Sequence, residues 1–387
     1  MTAPLYRPMR ARDPAESRGQ TPLELLFDLA FAAASGTAAI QFADTLRAAG
    51  PAGATLAFAL VFFAIWWAWL NFSWLMSAYD PGDGVTWLVT TVQVLGACVL
   101  AAGVPAAASE QDFTVITIGY AVMRLPLAAQ WLRAAAGDPA RRATCLRYAA
   151  GLLVLQVAWL GRLALPQGWQ LPVFFLLAAA EFVVPALARQ AGRMPTNPGH
   201  LAGRYGRFTL TVAAQVVAAA IFAIQQALAG DAARAPLVTV AVLAVGVVAC
   251  LLWLYHAPPH ARLAAGPLPR LWEYGHFPIV AAVGAVGAGA RFLAEAIGSN
   301  AVGQRWAAYP LALAVAAALT SIWLVCVLPA GRGTGRFLVR YPACVALILL
   351  APMAVPWPLW AAGAVALLLL ALAATEHRAW IAFPDTT

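Results

Sequence analysis

Residues 51–75 read PAGATLAFALVFFAIWWAWLNFSWL, a stretch with no charged side chain. About 20 apolar residues in a helix cross the ~30 Å hydrocarbon core of a bilayer. A stretch of this length and apolarity is a membrane-spanning helix, and the same pattern recurs on both sides of it. Helices are expected at 22–44, 51–75, 84–105, 113–133, 144–165, 170–190, 201–229, 235–257, 273–297, 307–329, 336–354 and 357–375. Gly50-Pro51, Pro81-Gly82, Pro258-Pro259 and Pro356 punctuate the joins. Thr21-Pro22 gives the first helix an N-cap followed by Pro at its first position. The expected fold class is therefore all-α, a polytopic integral membrane protein with twelve transmembrane helices. An N-terminal segment, 1–20, precedes one helical domain, 21–380.

Composition agrees. Of 387 residues, 63% are hydrophobic and 10% charged, against about 25% charged in soluble domains. So few charges cannot cover a water-facing surface, and the lipid bilayer is the expected partner. The net charge is +8, and every basic residue is Arg. These arginines sit in the joins and form no basic face, so nucleic acid is not an expected partner.

They do define an orientation. With the N-terminus inside, the cytoplasmic side holds Arg7, Arg10, Arg12, Arg18, Arg133, Arg141, Arg142, Arg147, Arg189, Arg193, Arg204, Arg207, Arg262, Arg270, Arg332, Arg336, Arg340 and Arg378. The outer side holds only Arg47, Arg162, Arg234 and Arg305. Such asymmetry follows the positive-inside rule and supports an even helix count with both termini cytoplasmic, in a bacterial inner membrane. One join fits poorly: the second, nominally cytoplasmic, carries Asp80 and Asp83 and no Arg.

A weak internal repeat also appears. Phe27 and Leu29 match Phe208 and Leu210, Trp69 matches Trp253, Arg147-Tyr148 matches Arg340-Tyr341, and Trp169 matches Trp357. Six-helix halves, 21–195 and 196–380, would then share one orientation as a 6+6 parallel pseudo-repeat.

Ionisable residues inside a span cost from ~2.5 kcal/mol upward, so each needs a partner. Glu24 and Asp28 are i,i+4 on the first helix, stacked on one face. Two acids there do not suit a cleaved signal, so this run is read as a retained helix. The pair is either a proton or cation site or half of a buried ion pair with Arg124 or a cytoplasmic Arg. Arg124 lies in the middle of the fourth helix, with Asp28 and Glu181 as candidate partners. Two acids sharing one Arg would suit a proton relay; one acid would make a helix lock. Arg291 and Glu295 are i,i+4 near the outer end of the ninth helix, a local interfacial pair. Gly284, Gly287 and Gly289 before them permit either close packing or an unwound segment.

His200, His256, His260 and His276 fall on the cytoplasmic side. Pro258 and Pro259 break the helical face that His256 and His260 would need as paired ligands. The five cysteines form no CxxC pair and read as small buried residues. Trp66-Trp67-Ala68-Trp69, with Trp74, reads as interfacial or packing material. No cofactor, no metal and no nucleophile–base constellation is expected, so the protein is not read as an enzyme.

Several local patterns bear on family. They are Glu24-Leu-Leu-Phe-Asp28-Leu-Ala-Phe31; Trp66-Trp67-Ala-Trp69, then Tyr79-Asp80 and Asp83; Tyr120-Ala-Val-Met-Arg124-Leu; His200-Leu-Ala-Gly-Arg204-Tyr-Gly206, then Phe208-Thr209; and Tyr274-Gly-His276-Phe-Pro278. In this order the chain resembles the bacterial low-temperature-requirement A (LtrA) family of multi-pass membrane proteins. The resemblance implies the helical membrane architecture. The family name records a cold-growth phenotype and implies no settled biochemical activity. Two departures stand out: Gly203 replaces an acid usual in the family, and Ala214-Gln215-Val216 replaces Gly-Glu-Ser, so an intramembrane Glu has become Gln215.

The candidate polar site is Glu24, Asp28, Arg124, Glu181, Gln215, His276, Arg291 and Glu295. The leading expectation is a secondary transporter or channel-like protein acting on a proton, cation or small molecule. The alternative is a non-transporting protein that supports membrane function or growth under cold or other stress. Nothing in the sequence sets the substrate or the oligomeric state.

Overall fold

The computed structural model describes residues 4–13, 19–229, 234–299, 306–330 and 335–381. Every secondary element among them is helical: α1 (Pro22–Ala48), α2 (Gly50–Ala78), α3 (Gly84–Ser109), α4 (Thr114–Gly137), α5 (Arg142–Arg162), α6 (Gln167–Arg189), α7 (Pro198–Ala229), α8 (Arg234–His256), α9 (His260–Ala265), α10 (Pro269–Gly298), α11 (Tyr309–Ile322), α12 (Gly335–Ala354) and α13 (Pro358–Ile381). Among the described residues, twelve helices are long and apolar enough to cross a membrane. The exception is α9, a single short helix after Pro258-Pro259 that the sequence reading leaves in a join. A π-helical turn, Trp323–Val327, continues α11. Arg18, Arg305 and Arg332, which enter the topology count, lie outside the described residues.

The chain divides into two compact units, Met1–Ala38 with Leu60–Arg204, and Ala39–Ala59 with Tyr205–Thr387. This division cuts α1 and α2 and runs differently from the six-helix halves.

In the first unit, glycines let backbones meet. A Cβ on Gly96 of α3 would lie 2.9 Å from the Gly119 carbonyl of α4, so neither position has room for a side chain. The N-terminal segment is strapped over the α2–α3 join. Arg12 N–H donates to Ala78 O at 3.0 Å, and Gly84 N–H to Pro4 O at 3.0 Å. Arg12 pairs with Asp80 at 2.5 Å. Asp83 accepts from Arg7 N–H at 2.7 Å and pairs with Arg133 of α4. The two acids of that Arg-free join thus borrow their cations from the N-terminal segment and from α4. Burial of Asp83 works to raise its pKa, but the Arg133, Thr86 and Arg7 hydrogen bonds outweigh it, and the pKa is lowered.

In the second unit, α10 runs unbroken through Gly284, Gly287 and Gly289, so these glycines are packing positions and the segment is not unwound. A Cβ on Gly287 would lie 2.9 Å from the Gln215 carbonyl of α7, and one on Gly289 2.6 Å from Leu311 N of α11.

Candidate functional site

The first unit buries two separate charge clusters. The first gathers around Arg204, which is fully buried in the second turn of α7. Arg204 Nη2 donates to Asp28 Oδ1 at 2.8 Å, and Nε donates to Ser73 Oγ at 3.1 Å. Nη1 lies 2.9 Å from Glu24 Oε1. One guanidinium therefore serves two carboxylates, which α1 presents one turn apart. Asp28 also accepts from Trp69 Nε1 at 2.7 Å and from Gln20 Nε2 at 3.2 Å. The other oxygen of Glu24, Oε2, accepts from Thr21 N–H at 2.8 Å and closes a capping box at the start of α1. Glu24 Oε1 faces both Arg204 and His200 Nε2, the latter at 3.1 Å, with neither contact aligned as a hydrogen bond.

The second cluster is Arg124 of α4 with Glu181 of α6, both buried. Arg124 Nη2 donates to Glu181 Oε2 at 2.6 Å, and Nη1 donates to Oε1. Trp67 Nε1 and Trp159 Nε1 donate to the same carboxylate at 2.9 and 2.8 Å. The Arg124 guanidinium also lies 4.8 Å from the Tyr120 ring centroid. One cation meets one anion, and four donors saturate the carboxylate. This is the bidentate geometry that Arg fits best.

The sequence alone points to a carboxylate pair on Arg124. The structure places that arrangement on Arg204 and gives Arg124 the single acid Glu181. Asp28 pairs with a residue counted among the cytoplasmic arginines. Trp67 and Trp69 are also more than packing. Two residues apart on a helix they point to different sides, and each donates to a carboxylate of a different cluster.

The motifs Glu24–Asp28, Trp66–Trp69 and His200–Arg204 thus converge on one site. The profile of the bacterial low temperature requirement A protein (LtrA) family matches residues 20–374, most of the chain. The chain belongs to the LtrA family. An uncharacterized protein of Rhizobium meliloti (strain 1021) is 28% identical over 154 residues, 39% of this chain and 36% of that protein. The matched region thus spans about a third of that relative's length. No solved structure matches the chain.

The remaining candidates of this LtrA-family chain lie in the second unit. Arg291 Nε sits 3.0 Å from Glu295 Oε1, as the i,i+4 spacing predicts, and Arg47 also pairs with Glu295. Arg291 lies 4.4 Å from the Phe222 ring centroid. Arg47 and Glu295 edge a largely apolar cavity of about 1050 Å³, whose lining includes Phe42, Phe58, Phe277 and Phe292. Gln215 is half-buried where Gly287 meets α7. His276 is fully buried and bonded to Tyr255 and Trp272. His260, on α9, is half-buried; desolvation pushes its pKa down to about 4 despite its hydrogen bond to Tyr255 O. His256 is exposed. Among the cysteines Cys145, Cys326 and Cys344 are buried and Cys250 is half-buried, but Cys98 is exposed on α3, contrary to the sequence reading. The pairing of Arg340 with the buried Glu376, 3.6 Å apart, has no counterpart in the sequence reading.

Proposed function

We propose that this LtrA-family protein is a proton-linked transport protein of the bacterial inner membrane, with Glu24, Asp28, His200 and Arg204 as its proton-binding site. The observation that carries the reading is stoichiometric. Two carboxylates share one guanidinium, so with His200 neutral the cluster holds one negative charge in excess. An excess charge in a water-poor site is costly. Taking up one proton, on a carboxylate or on the adjacent His200, removes that cost. The capping box orients Glu24, and Trp69 and Gln20 orient Asp28, so Arg204 can shift its weight between the two as one becomes neutral. Arg124–Glu181 is already neutral and saturated, which suits a fixed lock between α4 and α6.

The test is purified protein in liposomes carrying an internal pH-sensitive dye, under an imposed pH gradient and membrane potential. Wild-type vesicles should show proton movement. D28N should slow it at least about tenfold, roughly 1.4 kcal/mol at the barrier. Wild-type vesicles no leakier than protein-free ones would overturn the proposal.

A second reading is a non-transporting protein that keeps the membrane working in the cold. The near-complete burial of Asp28, Arg204, Arg124 and Glu181 favours it, because closed ion pairs lock helices. On that reading R204Q lowers the melting temperature, and no vesicle moves protons.

A further inference from the structure

We propose that His260, His276 and Cys326 form a binding site for a soft or borderline d10 metal cation, Cu+ or Zn2+. One ligand atom from each of the three lies within 4.8 Å of the other two. Donors held 2.0–2.3 Å from one ion stand roughly 3.3–4 Å apart, so closing on a metal draws these atoms in by no more than about 1.5 Å. Two imidazoles and a thiol are the donor set that Zn2+ and Cu+ share.

The surroundings prepare the ligands. His276 Nδ1 lies 2.5 Å from Trp272 O, and His260 Nε2 lies 2.5 Å from Tyr255 O. A carbonyl can only accept, so each of these nitrogens carries the N–H. The lone pairs are then on His276 Nε2 and His260 Nδ1. Donors already address both: the Tyr255 hydroxyl is 3.0 Å from the first, and Trp272 Nε1 is 3.3 Å from the second. Imidazoles oriented by a backbone carbonyl through the far nitrogen are the usual arrangement of metal-bound histidines. When a cation takes Nε2, the Tyr255 hydroxyl still has Thr209 within hydrogen-bond reach.

The backbone supports the same juxtaposition. Cys326 is fully buried on the π-helical turn that ends α11, a distortion often found at functional sites. Gly275 precedes His276, and Val325 precedes Cys326. A Cβ on Gly275 would lie 2.6 Å from a Val325 methyl, so glycine there lets α10 approach this turn and brings His276 to Cys326. Tyr205 and Trp272 enclose the His276 ring, with centroids 4.6 and 4.5 Å away. His260 is half-buried and lies outside the spans, giving an ion a way in.

Charge decides between the two ions. On binding, the Cys326 thiol releases its proton to water, and the resulting thiolate with two neutral imidazoles neutralises Cu+ completely but leaves Zn2+ with one positive charge. An uncompensated charge in an aromatic, water-poor enclosure is costly, so Cu+ should bind tighter.

The test uses full-length protein in nanodiscs, stripped with a chelator and titrated with Zn2+ and, under reducing conditions, with Cu+ against a chromophoric competitor. Co2+ serves as a spectroscopic stand-in for Zn2+. The expected result is one ion per chain, a thiolate-to-cobalt charge-transfer band, and Cu+ bound more tightly than Zn2+. C326A and H260N should each weaken binding by about a hundredfold or more, while C344A should not. His260 is half-buried on a short helix, so H260N keeps the test usable where C326A fails to fold. Less than a tenth of an ion per chain, a cobalt complex without a sulfur band, or wild-type affinity in H260N would overturn the proposal.

Discussion

At the residue scale, the interior charges are legible in the sequence but their partners are not. Glu24, Asp28, Arg124 and Glu181 stand out because a charge in an apolar run has no solvent and must find a counter-charge. Which counter-charge it finds depends on distances between helices that one sequence does not encode. Arg204 shows how small an error hides a partner. Starting the seventh helix at 201 leaves it in the first turn, beside the other loop arginines; the helix starts at Pro198, which carries Arg204 a turn deeper. The corrected pairs make a sharp prediction. Arg204→Gln should cost ~3–5 kcal/mol, because it strands two buried carboxylates, whereas Asp28→Asn leaves Arg204 paired with Glu24 and should cost less. The double variant should cost less than the sum, and the same should hold for Glu181→Gln with Arg124→Gln. Asp28→Asn combined with Arg124→Gln should instead be additive within about 0.5 kcal/mol, as for independent sites. Unfolding in mixed micelles measures all three cycles. Strong coupling between Asp28 and Arg124 would contradict the separation of the two clusters.

At the scale of elements, the twelve spans are legible because length and apolarity are local properties, whereas their ends are not. Most helices extend a few residues past their apolar runs, as α2 does to Ala78 and α3 to Ser109. Polar residues continue a helix as readily as apolar ones. The strap of the N-terminal segment across the α2–α3 join is illegible for another reason: it has no periodicity, only backbone hydrogen bonds and paired charges. Asp83 is its centre, and the sign of its pH dependence follows from its lowered pKa. A carboxyl held below its unfolded value near 3.8 contributes stability that is fully present above that value. The contribution is lost as pH falls through the lower, folded value. Asp83→Asn should therefore cost about 1.5–3 kcal/mol at neutral pH, since it removes the charged acceptor of hydrogen bonds from Arg133, Thr86 and Arg7. The gap between wild type and variant should stay constant down to about pH 4 and shrink below it. Chemical unfolding in detergent at a series of pH values measures the gap; one that widens on acidification would show that another group holds the strap.

At the scale of the whole molecule, orientation and repeat rest on the sequence and on a few burial patterns. Phe27 and Phe208 are both buried, Tyr148 and Tyr341 are both buried, and Trp169 and Trp357 are both largely exposed. Trp69 and Trp253 differ, buried against 52% exposed, because Trp69 has been recruited to Asp28. Halves of six spans each would share one orientation, so both ends of the chain would lie on one side. The acidic α2–α3 join counts, by sequence, against an inside N-terminus. Its acids are held by Arg12 and Arg7 of that same terminus, so the join and the N-terminal segment occupy one side of the membrane, as two crossings require. On the orientation expected from the arginine excess, that side is the cytoplasm. Exposed single cysteines test this in a Cys98→Ser background, which removes the exposed native thiol. Glu110 lies in the join after three spans and Arg193 in the join after six, and both are exposed. In spheroplasts a membrane-impermeant maleimide should label Glu110→Cys directly and Arg193→Cys only after permeabilisation. The reverse pattern would place both termini outside, and labelling of both from outside would mean that one of α4, α5 or α6 does not cross the membrane.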